Sequence, residues 1–110
     1  MIDLLDDIFN IAGKYGLKVI NIDATDVTLM VKIEIISPIY VQIYQNIKKH
    51  KLNMALVLKN NRIYGLDAEG GLFHEHPAKD PTTHKPIKER LNIEAFVVRC
   101  LNILKDKGVL

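Results

Sequence analysis

Residues 37–50 read SPIYVQIYQNIKKH, and the fold turns on whether this stretch is helix or strand. As a helix, Ser37 is the N-cap, Pro38 takes the first helical position, and Ile39, Ile43 and Ile47 stack on one side. As a strand, Ile39, Val41 and Ile43 alternate with Tyr40, Gln42 and Tyr44, and the density of β-branched and aromatic residues favours this reading. The segment NMALVLKN that follows the polar turn Lys48 to Lys51 supplies a ready antiparallel partner. The strand is therefore the reading adopted, with the helix held open.

Upstream, VTLMVKIEI puts Val27, Leu29, Val31, Ile33 and Ile35 on one face and Thr28, Met30, Lys32 and Glu34 on the other. Before it, Lys18 to Asp23 reads as a strand with Ile20 and Ile22 facing one way, and Ala24, Thr25 and Asp26 make the turn. Downstream, Asn60-Asn61 is a two-residue turn between LVLK and RIYGLD, since asparagine tolerates positive φ. AEGG makes a further turn into a short strand, LFHEH. Three prolines between Pro77 and Pro86 preclude regular structure there, which makes it the one long loop.

Helices bracket these strands. Ile2, Leu5, Ile8, Phe9 and Ala12 recur at three- and four-residue steps, acidic residues fill the first turns, and Gly13 and Gly16 end the run. At the other end Asn92 is a good N-cap, Ile93, Phe96, Val97, Cys100, Leu101 and Leu104 form the apolar stripe, and Gly108 terminates it. Cys100 lies in that stripe and reads as a small buried hydrophobe. The expected fold is α+β: a mainly antiparallel sheet of about five or six strands with an N-terminal and a C-terminal helix packed on it.

The chain has 110 residues and 12.5 kDa, 48% hydrophobic and 25% charged, which suits a single domain over 1–110. A net charge of +2 does not by itself imply nucleic acid, and 6% aromatic content argues against an aromatic stacking platform. One cysteine excludes an internal disulfide and a multi-cysteine zinc knuckle, and points to a reducing cytoplasm. No apolar run has the length of a membrane span.

The chemistry is concentrated in RIYGLDAEGGLFHEHPAKDPTTHKP, residues 62–86, which holds three of the four histidines and three of the four prolines. On a strand His74 and His76 share a face about 6 to 7 Å apart, a spacing at which two imidazoles can converge on one ion or phosphate. A loop folding back would bring His84, and Asp67 could add a carboxylate. Three histidines would suit zinc or a similar divalent cation. Without metal, His74 and His76 can act as general base and acid on an RNA 2′-hydroxyl and its leaving oxygen, with Arg62 holding phosphate and Tyr64 orienting a proton or stacking on a base. A purely structural role for the cluster is also open: glycines for turns, Pro77 to end an edge strand, histidines to cover it. His50, in KKHK, reads as solvated. AEGG lacks the lysine and spacing of a P-loop, which disfavours nucleotide hydrolysis.

The hairpin strands followed by RIYGLDAEGGLFHEHP, a proline loop and a terminal amphipathic helix resemble small archaeal and bacterial proteins similar to the TumE-type toxins of toxin–antitoxin modules. Their pattern is a Tyr-x-x-Asp after a strand and a His-x-His before the last helix; here Tyr64, Asp67, His74, His76 and Pro77 carry it, within a match from Tyr40 to Leu104. Ala68 stands where the toxins commonly carry asparagine. The resemblance implies a small α+β domain and a DNA-binding antitoxin encoded alongside. Two functions are expected, the first from the resemblance and the second from the residues themselves. One is a toxin-like ribonuclease using the His-x-His site; the other is a non-catalytic binding or assembly module with a structural or metal-stapled histidine loop. A long isoleucine-rich strand at an uncovered edge would favour a homodimer.

Overall fold

A computed structural model describes residues 2–69, 72–76, 85–86 and 92–110. Its elements run α1 (Ile2–Lys14), β1 (Lys18–Ala24), β2 (Thr28–Ile36), β3 (Ile39–Asn46), β4 (Lys51–Leu58), β5 (Asn61–Glu69), β6 (Leu72–His76), β7 (Lys85–Pro86) and α2 (Ile93–Asp106). The strands form one seven-stranded antiparallel sheet in chain order, β1 to β7. This is the expected α+β architecture, and residues 39–46 are the strand that the alternation of isoleucine, valine and tyrosine favoured.

Alternation places Leu29, Val31 and Ile33 of β2, Ile39, Val41 and Ile43 of β3, and Leu52, Met54 and Leu56 of β4 on one face, where all are buried. Ile8 and Ala12 of α1 and Ile93, Phe96, Val97, Cys100 and Leu104 of α2 belong to the same core cluster. Both helices therefore cover one face. The other face carries Met30, Lys32, Glu34, Tyr40, Gln42, Tyr44 and Asn53, all partly exposed and mostly polar.

The helix ends follow from local chemistry. Asn92 accepts a hydrogen bond from the Ala95 amide through Oδ1 at 2.7 Å, capping α2. Gly16, at φ 68°, turns the chain out of α1 while the Leu17 amide donates to the Ala12 carbonyl at 2.8 Å. Lys14 and Tyr15 at the end of α1 both donate to Glu94 in the first turn of α2, each at 2.6 Å, tying the two helices together.

Four details depart from the sequence reading. Phe9 is 49% exposed, because the buried stripe of α1 is centred on Ile8 and Ala12 and the helix rotates Phe9 off it. The β4–β5 turn is Lys59-Asn60 rather than Asn60-Asn61; both residues have positive φ, and Leu58 pairs with Asn61. Lys85 and Pro86, expected in irregular loop, form β7 against Glu75 and His74, an edge position where a proline is tolerated. The strand that carries Ile20 and Ile22 is bulged: Ile20 is left out of the pairing, Ile22 lies opposite Val31 on the helix side, and both isoleucines stay exposed on the edge strand. The rest of the expected loop, residues 77–84, lies outside the described residues. Among the described residues no helix is long and apolar enough to cross a membrane.

Candidate functional site on the open sheet face

Strict alternation along β5 would put Arg62 and Tyr64 on one face and Asp67 on the other. A β-bulge changes this. Leu56 pairs with Tyr64 and Val57 with Arg62, which leaves Ile63 unpaired and turns Arg62 onto the face of Gly65 and Asp67. Arg62 Nη2 donates to Asp67 Oδ1 at 2.7 Å and Nη1 to Oδ2 at 3.3 Å, a two-pronged ion pair. Nη2 also donates to the Met54 carbonyl at 3.2 Å. The guanidinium lies directly over Gly65, where any Cβ would collide with it.

Asp67 pairs in register with Asn53 on one side and His74 on the other. The sheet thus brings Arg62, Asp67 and His74 together on the open face. His76 is described at its backbone alone, opposite Gly65. His84 lies outside the described residues, and among those described no three His, Cys, Asp or Glu side chains converge as a metal site.

Tyr64 faces the other way. It is 2% exposed, stacks on Phe96 of α2 with ring centroids 5.5 Å apart, and donates to Glu75 Oε2 at 2.7 Å. Arg99 of α2 donates to both, at 3.2 Å to the Tyr64 hydroxyl and 2.9 Å to Glu75 Oε2. Burial, followed by the bond to Glu75, pushes the phenol up to about 12. Tyr64 therefore fastens β5 and β6 to α2, and no part of it reaches the open face. In a Tyr-x-x-Asp segment on a strand the two residues point to opposite faces, so they have separate duties.

Sequence reasoning missed the residues beside this trio. Tyr40, Gln42, Tyr44, Asn53, Ala55, Val57, Asn60 and Arg62 line a concavity of about 310 Å³ on the open face, within the range of small-ligand sites. The Tyr40 ring has Lys32 Nζ over it at 5.0 Å. Asn53 Oδ1 and Arg62 Nε, an acceptor and a donor, are buried there without a hydrogen-bond partner. The signal was present in YVQIY: once Val41 and Ile43 are assigned to the core, the tyrosines and Gln42 must face outward. A larger cavity of about 510 Å³ lies between the helices, lined by Leu4, Asp7, Ile11 and Ile93 among others, and none of the expected site residues borders it.

No protein-family model matches the chain, and neither the curated proteins nor the solved structures contain a match to it.

Proposed function

We propose that this chain is a cytoplasmic, toxin-like protein that binds and cleaves RNA on its open sheet face. The observation that supports the reading best is the register of β5 and β6: Asp67 stands opposite His74, and the Arg62 guanidinium grips the same carboxylate. In this reading His74 takes the proton of a 2′-hydroxyl as its oxygen attacks phosphorus. The bond from phosphorus to the 5′-oxygen breaks, and a second group, His76 in this proposal, protonates the departing oxygen. The products are a 2′,3′-cyclic phosphate and a 5′-hydroxyl. Asp67 orients the imidazole. Arg62, engaged by Asp67 and Met54, holds that carboxylate in place instead of clamping phosphate.

Tyr40 and Tyr44 with Gln42 and Asn53 form the seat for bases, combining ring faces with amide donors and acceptors. A DNA-binding antitoxin is the proposed protein partner, carried by the resemblance of Tyr64, Asp67, His74, His76 and Pro77 to TumE-type toxins. In the metal form of this reading a divalent cation would be held by His74, His76 and His84, and sensitivity to chelator distinguishes it from proton transfer by the imidazoles alone.

The test is RNA cleavage by purified protein, with and without chelator, beside His74→Ala and His76→Ala. The expected result is cleavage that each substitution abolishes. Cleavage that survives both sinks the histidine mechanism, and cleavage lost in chelator selects the metal form.

A second reading, a non-catalytic binding module, is favoured by the buried unpartnered Asn53 Oδ1 and Arg62 Nε in the concavity, which a planar ligand bearing both a donor and an acceptor would satisfy. RNA retained but not cleaved would select it.

A further inference from the structure

The sheet has two edges of very different character. At one end β7 is two residues long and contains Pro86. At the other, β1 presents seven residues, KVINIDA, with one side of its backbone unpaired among the described residues. An exposed strand of that length is a template for another strand. It is also apolar: Ile20 is 44% and Ile22 43% exposed. Phe9 adds to the patch. Leu4, Asp7 and Ile11 line the cavity shared with α2, and a helical turn takes 3.6 residues, so Phe9 lies on the flank of α1 turned away from α2.

We infer that β1 pairs antiparallel with β1 of a second copy of this chain, in the register that sets Lys18 against Asp23, Val19 against Ile22 and Ile20 against Asn21. The faces of β1 allow this register, and among those they allow it is the one that sets opposite charges against each other. Lys18 pairs with Glu34 and Asp23 with Met30, both on the open face; Val19 pairs with Ile33 and Ile22 with Val31, both in the core. The bulge at Ile20 is what gives Val19 and Ile22, three apart, the same face. In the inferred register, Lys18 meets Asp23 of the second copy on the open side, twice by symmetry. Val19 meets Ile22 of the second copy on the helix side, also twice.

The charges decide the occupant. Charged residues and bulges on an edge ordinarily deter pairing. Here one charge of each sign stands at either end of the same strand, and among the described residues neither Lys18 nor Asp23 is in an ion pair. An antiparallel second copy satisfies both, whereas a strand of any other sequence has no such match built in. A two-fold axis normal to the sheet keeps both pairs of helices on one side and brings the two Phe9 flanks toward each other. The open faces of the two copies then join into one continuous surface.

Light scattering on the eluting protein, at concentrations up to sub-millimolar, tests this. The expected mass is twice the 12.5 kDa of one chain. Lys18→Asp sets like charges opposite each other and is expected to raise the dimer dissociation constant about tenfold. Adding Asp23→Lys to it restores the wild-type value. Ile22→Lys is expected to give monomer, with circular dichroism confirming that each variant is folded. A wild-type protein that elutes as monomer throughout overturns the inference. So does a dimer that ignores both Lys18→Asp and Ile22→Lys, or a double reversal no better than the single one.

Discussion

The guanidinium of Arg62 lies on the backbone of Gly65, in space that a side chain at that position would fill. Glycine is required here by close approach, because Gly65 does not have positive φ. The colliding atoms are the far end of a flexible side chain, so Gly65→Ala is expected to fold with Arg62 displaced and its bonds to Asp67 lost. The expected cost is about 1–3 kcal/mol, read from chemical denaturation.

Asp67 and Arg62 form a partly buried pair, and removing either takes a charge-assisted hydrogen bond from the other. Asp67→Asn and Arg62→Met are each expected to destabilise by about 1–3 kcal/mol. Their double variant should cost less than the sum, because the contact is lost once. Equilibrium unfolding of the four proteins checks this, and strict additivity would contradict the geometry.

Tyr64 gives a pH signature. Its phenol is raised from 10.0 to about 12 in the folded protein, so the folded state holds the proton more tightly than the unfolded chain. The associated stability is complete below pH 10 and is lost as pH rises toward 12. Tyr64→Phe should weaken the fold at neutral pH by about 1 kcal/mol through its lost hydroxyl bonds. It should also flatten this alkaline loss. Unfolding curves on either side of pH 10 for both proteins measure the difference. RNA cleavage should survive the substitution wherever the protein is folded.

Cys100 is fully buried on α2, and burial raises its thiol well above the ordinary range. A thiol reagent should leave native protein unmodified and label it completely in denaturant. Rapid labelling of native protein would show that α2 lifts from the sheet.

Tyr40 and Tyr44 separate the open face from the core. Alanine at either should leave stability nearly unchanged and weaken RNA retention by about 1–3 kcal/mol, measured by titration with a single-stranded oligonucleotide. Unchanged retention in both would remove the proposed base seat.

The architecture was legible because its signals are local. Alternation in VTLMVKIEI and YVQIY set the faces, and Asn92 and Gly108 marked the ends of α2. The clustering of Arg62, Asp67 and His74 in sequence also located a genuine cluster in space. What stayed hidden depends on register. Nothing in RIYGLD marks Ile63 as a bulge, and without it Arg62 would share a face with Tyr64 rather than Asp67. Phe9 looked like core because helical spacing gives a stripe without its centre; that centre is fixed only when the helix meets the sheet. The shift of the turn to Lys59-Asn60 is of the same kind, since Lys59 carries no bias toward the positive φ it adopts.

The sheet order β1 to β7 has a kinetic meaning. Every strand lies beside its neighbour in the chain, so each pairing closes only a short loop and the sheet can grow by successive folding back. The helices are the exception. Lys14 and Tyr15 must find Glu94 across almost the whole length of the chain. The slowest step in acquiring the native state should therefore be the docking of α1 and α2 side by side on a sheet already zipped, and substitutions at that clasp should speed unfolding more than they slow folding.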